Sequence, residues 1–169
     1  MDANDRASVT IRAAAGADTP TILRLIREMA AHEGQSGSCT ATEEGLQDGL
    51  FGPRPSAEVI LAEEAGSSVG FALFYPCFVP FTGVSGIFME LLYVVEGRRG
   101  SGVGTALVSR LAQIAVERGA GRLEWCVMQE NAPAIGFYLH LGATGMDALL
   151  ACRLEGAALR RVANGEPVR

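Results

Sequence analysis

Arg99-Gly100-Ser101-Gly102-Val103-Gly104-Thr105 follows an apolar, strand-like run over residues 88–95 and opens an amphipathic helical run over residues 106–118. Glycines let a backbone close on an anion, and the unpaired N–H donors of a first helical turn carry partial positive charge. The stretch therefore predicts a strand, a diphosphate-binding loop and a helix in succession. Its spacing disfavours two common loops of this kind. A dinucleotide fingerprint wants G-x-G-x-x-G with an acidic residue further on, and a P-loop wants Gly-Lys-Ser/Thr, whereas this chain has no lysine.

Working outward, residues 8–12 alternate as a first strand. Asp18 precedes Thr19-Pro20 as an N-cap with proline in the first turn, and Ile22, Leu25, Ile26 and Met29 recur at helical spacing as far as Glu33. Thr42 caps a short helix running through Leu50. Residues 58–63 and 69–75 read as strands of an antiparallel hairpin turning at 65–68, with a third strand over 87–95. Val103, Leu107, Leu111, Ile114 and Ala115 line one face of the helix after the glycine loop, and residues 123–127 form the next strand. Asn131 caps a further helix with Pro133 in its first turn, ended by Gly142. A last strand over 147–154 and a turn of helix over 157–162 complete a single domain, residues 1–169, with loose termini at 1–7 and 163–169.

The 169 residues are 49% hydrophobic and 20% charged, ordinary for one globular domain with a proper core. A net charge of −5 works against nucleic acid and anionic membranes as partners. No run approaches the length of a membrane span, so a cytoplasmic address is expected. Cys39, Cys77, Cys126 and Cys152 lack metal-ligand or disulfide spacing, and Cys77, Cys126 and Cys152 read as small buried strand residues. No metal is expected.

The loop reads R-x-x-G-x-G and resembles the acyl-CoA pyrophosphate loop of the GNAT superfamily of N-acetyltransferases. Phe71-Ala72-Leu73-Phe74-Tyr75, Glu90-Leu91-Leu92-Tyr93-Val94, Gly121-Arg122-Leu123-Glu124-Trp125 and Asn131-Ala132-Pro133-Ala134-Ile135-Gly136-Phe137-Tyr138 fall in the order and spacing of that superfamily, most like its diamine and polyamine branch. The resemblance covers residues 8–155. It implies an α/β fold with a mixed, mostly antiparallel sheet flanked by helices on both faces. It also implies acetyl-CoA as cofactor, a small-molecule amine as acceptor and a homodimer.

Acetyl transfer needs a neutral amine, a polarised carbonyl and a proton for the departing thiolate. Glu90 is the candidate base: it stands in an otherwise apolar strand, where an unpaired carboxylate is costly, and it matches the strand glutamate of the branch. The alternative is an edge glutamate facing solvent or paired with an arginine. Tyr138 is the candidate acid, a phenol at the position of the family's Phe-Tyr tyrosine. The resemblance further implies backbone contacts to the pyrophosphate from Arg99, Gly100, Gly102, Gly104 and Thr105. Arg98 and Arg99 would neutralise phosphate charge, and Leu92 and Val94 would offer main-chain groups to the pantetheine arm. Asn131 and Phe137 would support the arm or the helix start, and Glu33, beside His32, would attract the ammonium group.

The pattern breaks at Leu91, where relatives carry an acid directly after the strand glutamate, at Gln129, and at Val79-Pro80-Phe81. A mono-amine or an amino acid derivative is therefore favoured over a polyamine. The competing functions are acetylation of a protein N-terminus or lysine, and CoA binding without turnover.

Overall fold

Alternation of apolar residues organises four strands into a meander, and the computed structural model, which describes residues 9–146 and 151–165, closes it with a fifth. Strands β1 (Thr10–Ala13), β2 (Glu58–Glu64), β3 (Ser67–Val79) and β4 (Val84–Val94) pair antiparallel in order, and β5 (Leu123–Trp125) lies parallel to β4. The parallel pair needs a crossover, supplied by helix α3 (Val103–Glu117). The chain divides into two compact units, Met1–Met128 and Gln129–Arg169.

In the first unit both faces of the sheet are covered, because successive strand residues point to opposite sides. Val59, Leu61, Phe71 and Tyr93 form one core with Ile22 and Leu25 of α1 (Thr19–His32) and Leu50 of α2 (Glu43–Phe51). Ile60, Ala62 and Ala72 are buried on the other face, where Gly70, paired with Ala62, sits beneath α3. A Cβ on Gly70 would stand 2.8 Å from Tyr93 O and 3.3 Å from Leu107 Cδ1, so glycine is what lets the helix approach. The expected mixed, mostly antiparallel sheet with helices on both faces is the observed one.

Local signals hold closely. Thr42 Oγ1 caps α2 by accepting the Gly45 N–H at 3.1 Å. Asp18 does occupy the α1 N-cap position, but its carboxylate makes no capping bond. Instead it accepts from Arg12 at 2.7 and 2.8 Å and from the Ala15 N–H at 2.8 Å. That pairing holds the Asp18 carboxyl below the usual carboxylate range, chiefly through the Arg12 hydrogen bonds. The hairpin turn is tighter than the expected four residues. Ala65 (φ 50°) and Gly66 (φ 77°) make a two-residue turn, so β3 already starts at Ser67.

In the second unit, Asn131 Oδ1 accepts the Ala134 N–H at 3.2 Å and caps α4 (Ala132–His140), with Pro133 in the first turn. A second helix, α5 (Gly156–Ala163), covers the expected final turn. The strand expected over 147–154 is not formed where it can be followed: residues 151–155 are irregular and run directly into α5, and residues 147–150 lie outside the described residues. Of the loose ends expected at 1–7 and 163–169, residues 1–7 and 166–169 lie outside the described residues, whereas Ala163 ends α5 and Asn164 and Gly165 donate their N–H groups back to it, because the helix closes on a hydrogen-bonded turn. Of the three cysteines expected to be buried on strands, Cys77 is half-buried on β3, while Cys126, one residue past β5, and Cys152 are exposed, because neither stands in a strand that carries it into a core.

Candidate active site

β4 has an irregularity where Glu90 stands. The register passes from Leu73↔Leu91 to Phe74↔Met89, which makes Glu90 the extra residue of a β-bulge. Glu90 is exposed, so the apolar burial expected for it is replaced by a single phenol contact: Tyr75 Oη donates to Glu90 Oε2 at 3.0 Å. Tyr75 lies directly opposite Phe88, and the two rings stack at 5.4 Å with planes 24° apart.

The bulge also changes which main-chain groups face outward. Before it, β5 pairs with β4 over Ile87↔Leu123 to Met89↔Trp125. After it, no strand among the described residues pairs with that edge. Val95 donates its N–H toward β3, to Val69 O at 3.0 Å. Since main-chain direction alternates along a strand, Leu92 and Val94 point their N–H and C=O groups to the open edge. Val94 O there accepts Arg99 Nε at 3.1 Å.

Residues 95–102 follow at once. Gly100 has φ 73°, and Gly102, the N-cap of α3, has φ 93°, a left-handed conformation that disfavours any side chain. No atom lies within 4 Å of where a Cβ would stand on either residue. The first intrahelical bond is from the Ala106 N–H to Gly102 O at 2.9 Å, so the N–H groups of Val103, Gly104 and Thr105 precede the ladder at the positive end of the helix dipole. An open glycine turn with unspent donors fits a diphosphate.

The two arginines differ. Arg99 lays its guanidinium over the Tyr93 ring, 5.6 Å from the centroid, and its Nη1 lies 2.9 Å from His32 Nε2. That contact brings the end of α1, with Glu33 as its C-cap, beside the glycine turn. Arg98 instead pairs with Glu64, its Nε is buried with no hydrogen-bond partner, and its carbonyl accepts Ser101 Oγ at 2.6 Å. Arg98 thus shares its charge with a carboxylate, while Arg99 contacts an aromatic ring, a main-chain carbonyl and an imidazole.

In the second unit, Asn131 begins α4 and Phe137 sets its ring 5.1 Å from that of Tyr138, planes 56° apart. Burial pushes the half-buried Tyr138 phenol up to about 12. The predicted residues therefore fall into two groups: Glu33, Glu90, Leu92, Val94, Arg98, Arg99, Gly100, Gly102, Gly104 and Thr105 in the first unit, and Asn131, Phe137 and Tyr138 in the second. Tyr75 was not singled out by its chemistry in the sequence. Alternation along β3 and β4 is the signal that brings it within reach of Glu90.

Among the described residues no group of three or more His, Cys, Asp or Glu side chains could hold a metal ion, and no helix is long and apolar enough to cross a membrane.

The profile of the Acetyltransferase (GNAT) family matches residues 24–143. The chain is 35% identical to a thialysine N-epsilon-acetyltransferase of Mus musculus, over 93% of this chain and 98% of the relative. It is 30% identical to an L-ornithine N5-acetyltransferase of Arabidopsis thaliana, over 90% and 86% respectively. Among solved structures, an integron cassette protein from the mobile metagenome of V. cholerae superposes with a TM-score of 0.79 at 27% identity, covering 92% of this chain and 98% of that one. The strand, glycine turn and helix thus define an acyl-transfer scaffold. The chain belongs to the GNAT family of acetyltransferases and is an N-acetyltransferase of that family.

Proposed function

We propose that the chain moves an acetyl group from acetyl-CoA to the primary amine of a small molecule, most suitably an amino acid with a terminal amine, by direct attack in a ternary complex. The observation that carries this reading is the open edge of β4, running from the bulged Glu90 through Leu92 and Val94 into the glycine turn at the start of α3. An extended pantetheine arm can pair there as a strand would, with the diphosphate received by the α3 N-terminus.

Arg99, Gly100, Gly102, Gly104 and Thr105 would hold the diphosphate, with Arg98 adding charge tempered by Glu64. Leu92 and Val94 would hold the arm. When bound, acetyl-CoA supplies the thioester carbonyl that an amine attacks. Glu90 accepts a proton from the ammonium, freeing the nitrogen lone pair, and Tyr138 donates toward the departing sulfur. Asn131 and Phe137 fix the start and packing of the helix that bears Tyr138. Glu33 attracts the amine's charge.

The acceptor class rests on two supports. Two relatives are named for thialysine and ornithine, both amino acids with a side-chain amine. Leu91, where polyamine enzymes carry an acid, packs against the α1 core, so a second cationic group finds no carboxylate at that position. The proposal treats the chain as one acetyltransferase domain, since the family match runs across the division between the two units. A homodimer belongs to it on family resemblance alone.

Calorimetry with acetyl-CoA and CoA, followed by a thiol-release assay over thialysine, ornithine, lysine, spermidine and short peptides, tests the reading. Micromolar cofactor binding and a preference for the free amino acids are expected. Absence of CoA binding overturns it, preference for peptides moves the acceptor to proteins, and binding without thiol release leaves a CoA-binding module.

A further inference from the structure

We infer that Tyr75 is the positioning residue of Glu90: its phenol fixes one carboxylate oxygen, leaving Oε1 to take the ammonium proton. The inference rests on the reading of Glu90 as the base and adds to it a residue to which the resemblance assigns no role. Three observations carry it. The Tyr75 hydroxyl donates to Glu90 Oε2 at 3.0 Å. Glu90 is the extra residue of the bulge, so the β3–β4 ladder does not set its direction. The Tyr75 ring is itself fixed, directly opposite Phe88 and stacked on it at 5.4 Å, so the donor is aimed by a cross-strand pair.

The phenol remains a donor throughout the working range. Burial, then the hydrogen bond and charge of Glu90, push Tyr75 up to about 12. In the proton-transfer step the N–H bond of the ammonium breaks, its electron pair stays on nitrogen, and an O–H bond forms on Glu90. Tyr75 keeps its own proton.

Tyr75→Phe removes the hydroxyl while keeping the ring stacked on Phe88. In Tyr75→Phe, kcat with thialysine should fall about 10-fold, the loss of one hydrogen bond that orients a charged carboxylate. The loss should fall on kcat, with the KM for acetyl-CoA unchanged. In the Glu90→Gln background Tyr75→Phe should cost nothing further, since the two act as a unit.

An unchanged kcat in Tyr75→Phe, with thermal unfolding showing an intact fold, overturns the positioning role even if Glu90→Gln is crippled. Full parent activity in Glu90→Gln removes the base assignment instead. A Tyr75 that merely packs would lower the unfolding temperature and spare the kcat of the folded enzyme.

Discussion

The two halves of β4 carry the same kind of sequence and do different work. Up to Met89 the strand has neighbours on both sides, β3 and β5, and its residues Ile87 and Met89 are buried. From Glu90 onward it has β3 on one side, and Leu92 and Val94 turn their main-chain groups to an edge that no described strand covers. One inserted residue separates the halves. A strand paired on both sides has its backbone donors and acceptors satisfied and serves as frame, whereas a strand released on one side can offer them to an extended ligand. The bulge does both at once: it ends the pairing with β5 and presents a carboxylate at the point where pairing ends.

The largest expected effect tests whether the released half is chemical. Glu90→Gln keeps the shape of the bulge and removes the base, and kcat/KM should fall by about 10²–10³-fold at neutral pH. The loss should deepen as pH falls, because an amine without a base to deprotonate it reacts only through its shrinking free fraction. A pH–rate profile parallel to that of the parent would contradict the assignment and leave Glu90 as a solvent-facing bulge residue.

A pair of prolines separates frame from edge within two positions. The Leu91 N–H points toward β3, so Leu91→Pro removes a ladder bond and should destabilise the fold by about 3 kcal/mol. The Leu92 N–H points to the open edge, so Leu92→Pro should unfold at nearly the parent temperature while weakening acetyl-CoA binding about 10-fold, the loss of roughly one hydrogen bond in a site that excludes water. Thermal unfolding and calorimetry on both variants read the contrast. Equal destabilisation would mean that the phase shift at Glu90 does not reach Leu92.

What was legible in the sequence was local or strictly periodic. The glycine turn before α3 and the Thr42 and Asn131 caps each depend on residues a few positions apart, and the strands show as alternation along each run. What was not legible depends on a partner far along the chain. Glu90 reads as one member of an apolar strand, and nothing in residues 87–95 announces that Phe74 will pair with Met89 while Leu73 pairs with Leu91. Asp18 looks like a cap by its neighbours, yet Arg12 takes its carboxylate, because a bidentate charged hydrogen bond outweighs a single capping bond. The Arg98–Glu64 and Arg99–His32 contacts likewise join residues that only the folded sheet brings near. Family resemblance singled out Glu90 and the loop, while Tyr75 needed the register of β3 on β4.

The smallest effect concerns Tyr138, which stands on α4 and not on β4, and it asks whether the released half of the strand carries the chemistry alone. A thiol of ordinary acidity, near 8.5, is a far stronger acid than a phenol pushed up to about 12, so full transfer of the Tyr138 proton to a leaving thiolate runs uphill by several pH units. The phenol can still donate a hydrogen bond to the growing charge. Tyr138→Phe should accordingly lower kcat only about 10-fold, below the usual range for a general acid, and leave the KM for acetyl-CoA in place. The sign of the pH dependence follows from the same burial: a raised phenol stays protonated well past its ordinary value near 10, so Tyr138 adds no alkaline loss of rate below about pH 10 in the parent. Steady-state kinetics in both proteins between neutrality and that pH decide the matter. A loss as deep as that of Glu90→Gln would make Tyr138 an equal partner of the bulge, and an unchanged kcat would leave the whole of the proton chemistry to the open edge of β4.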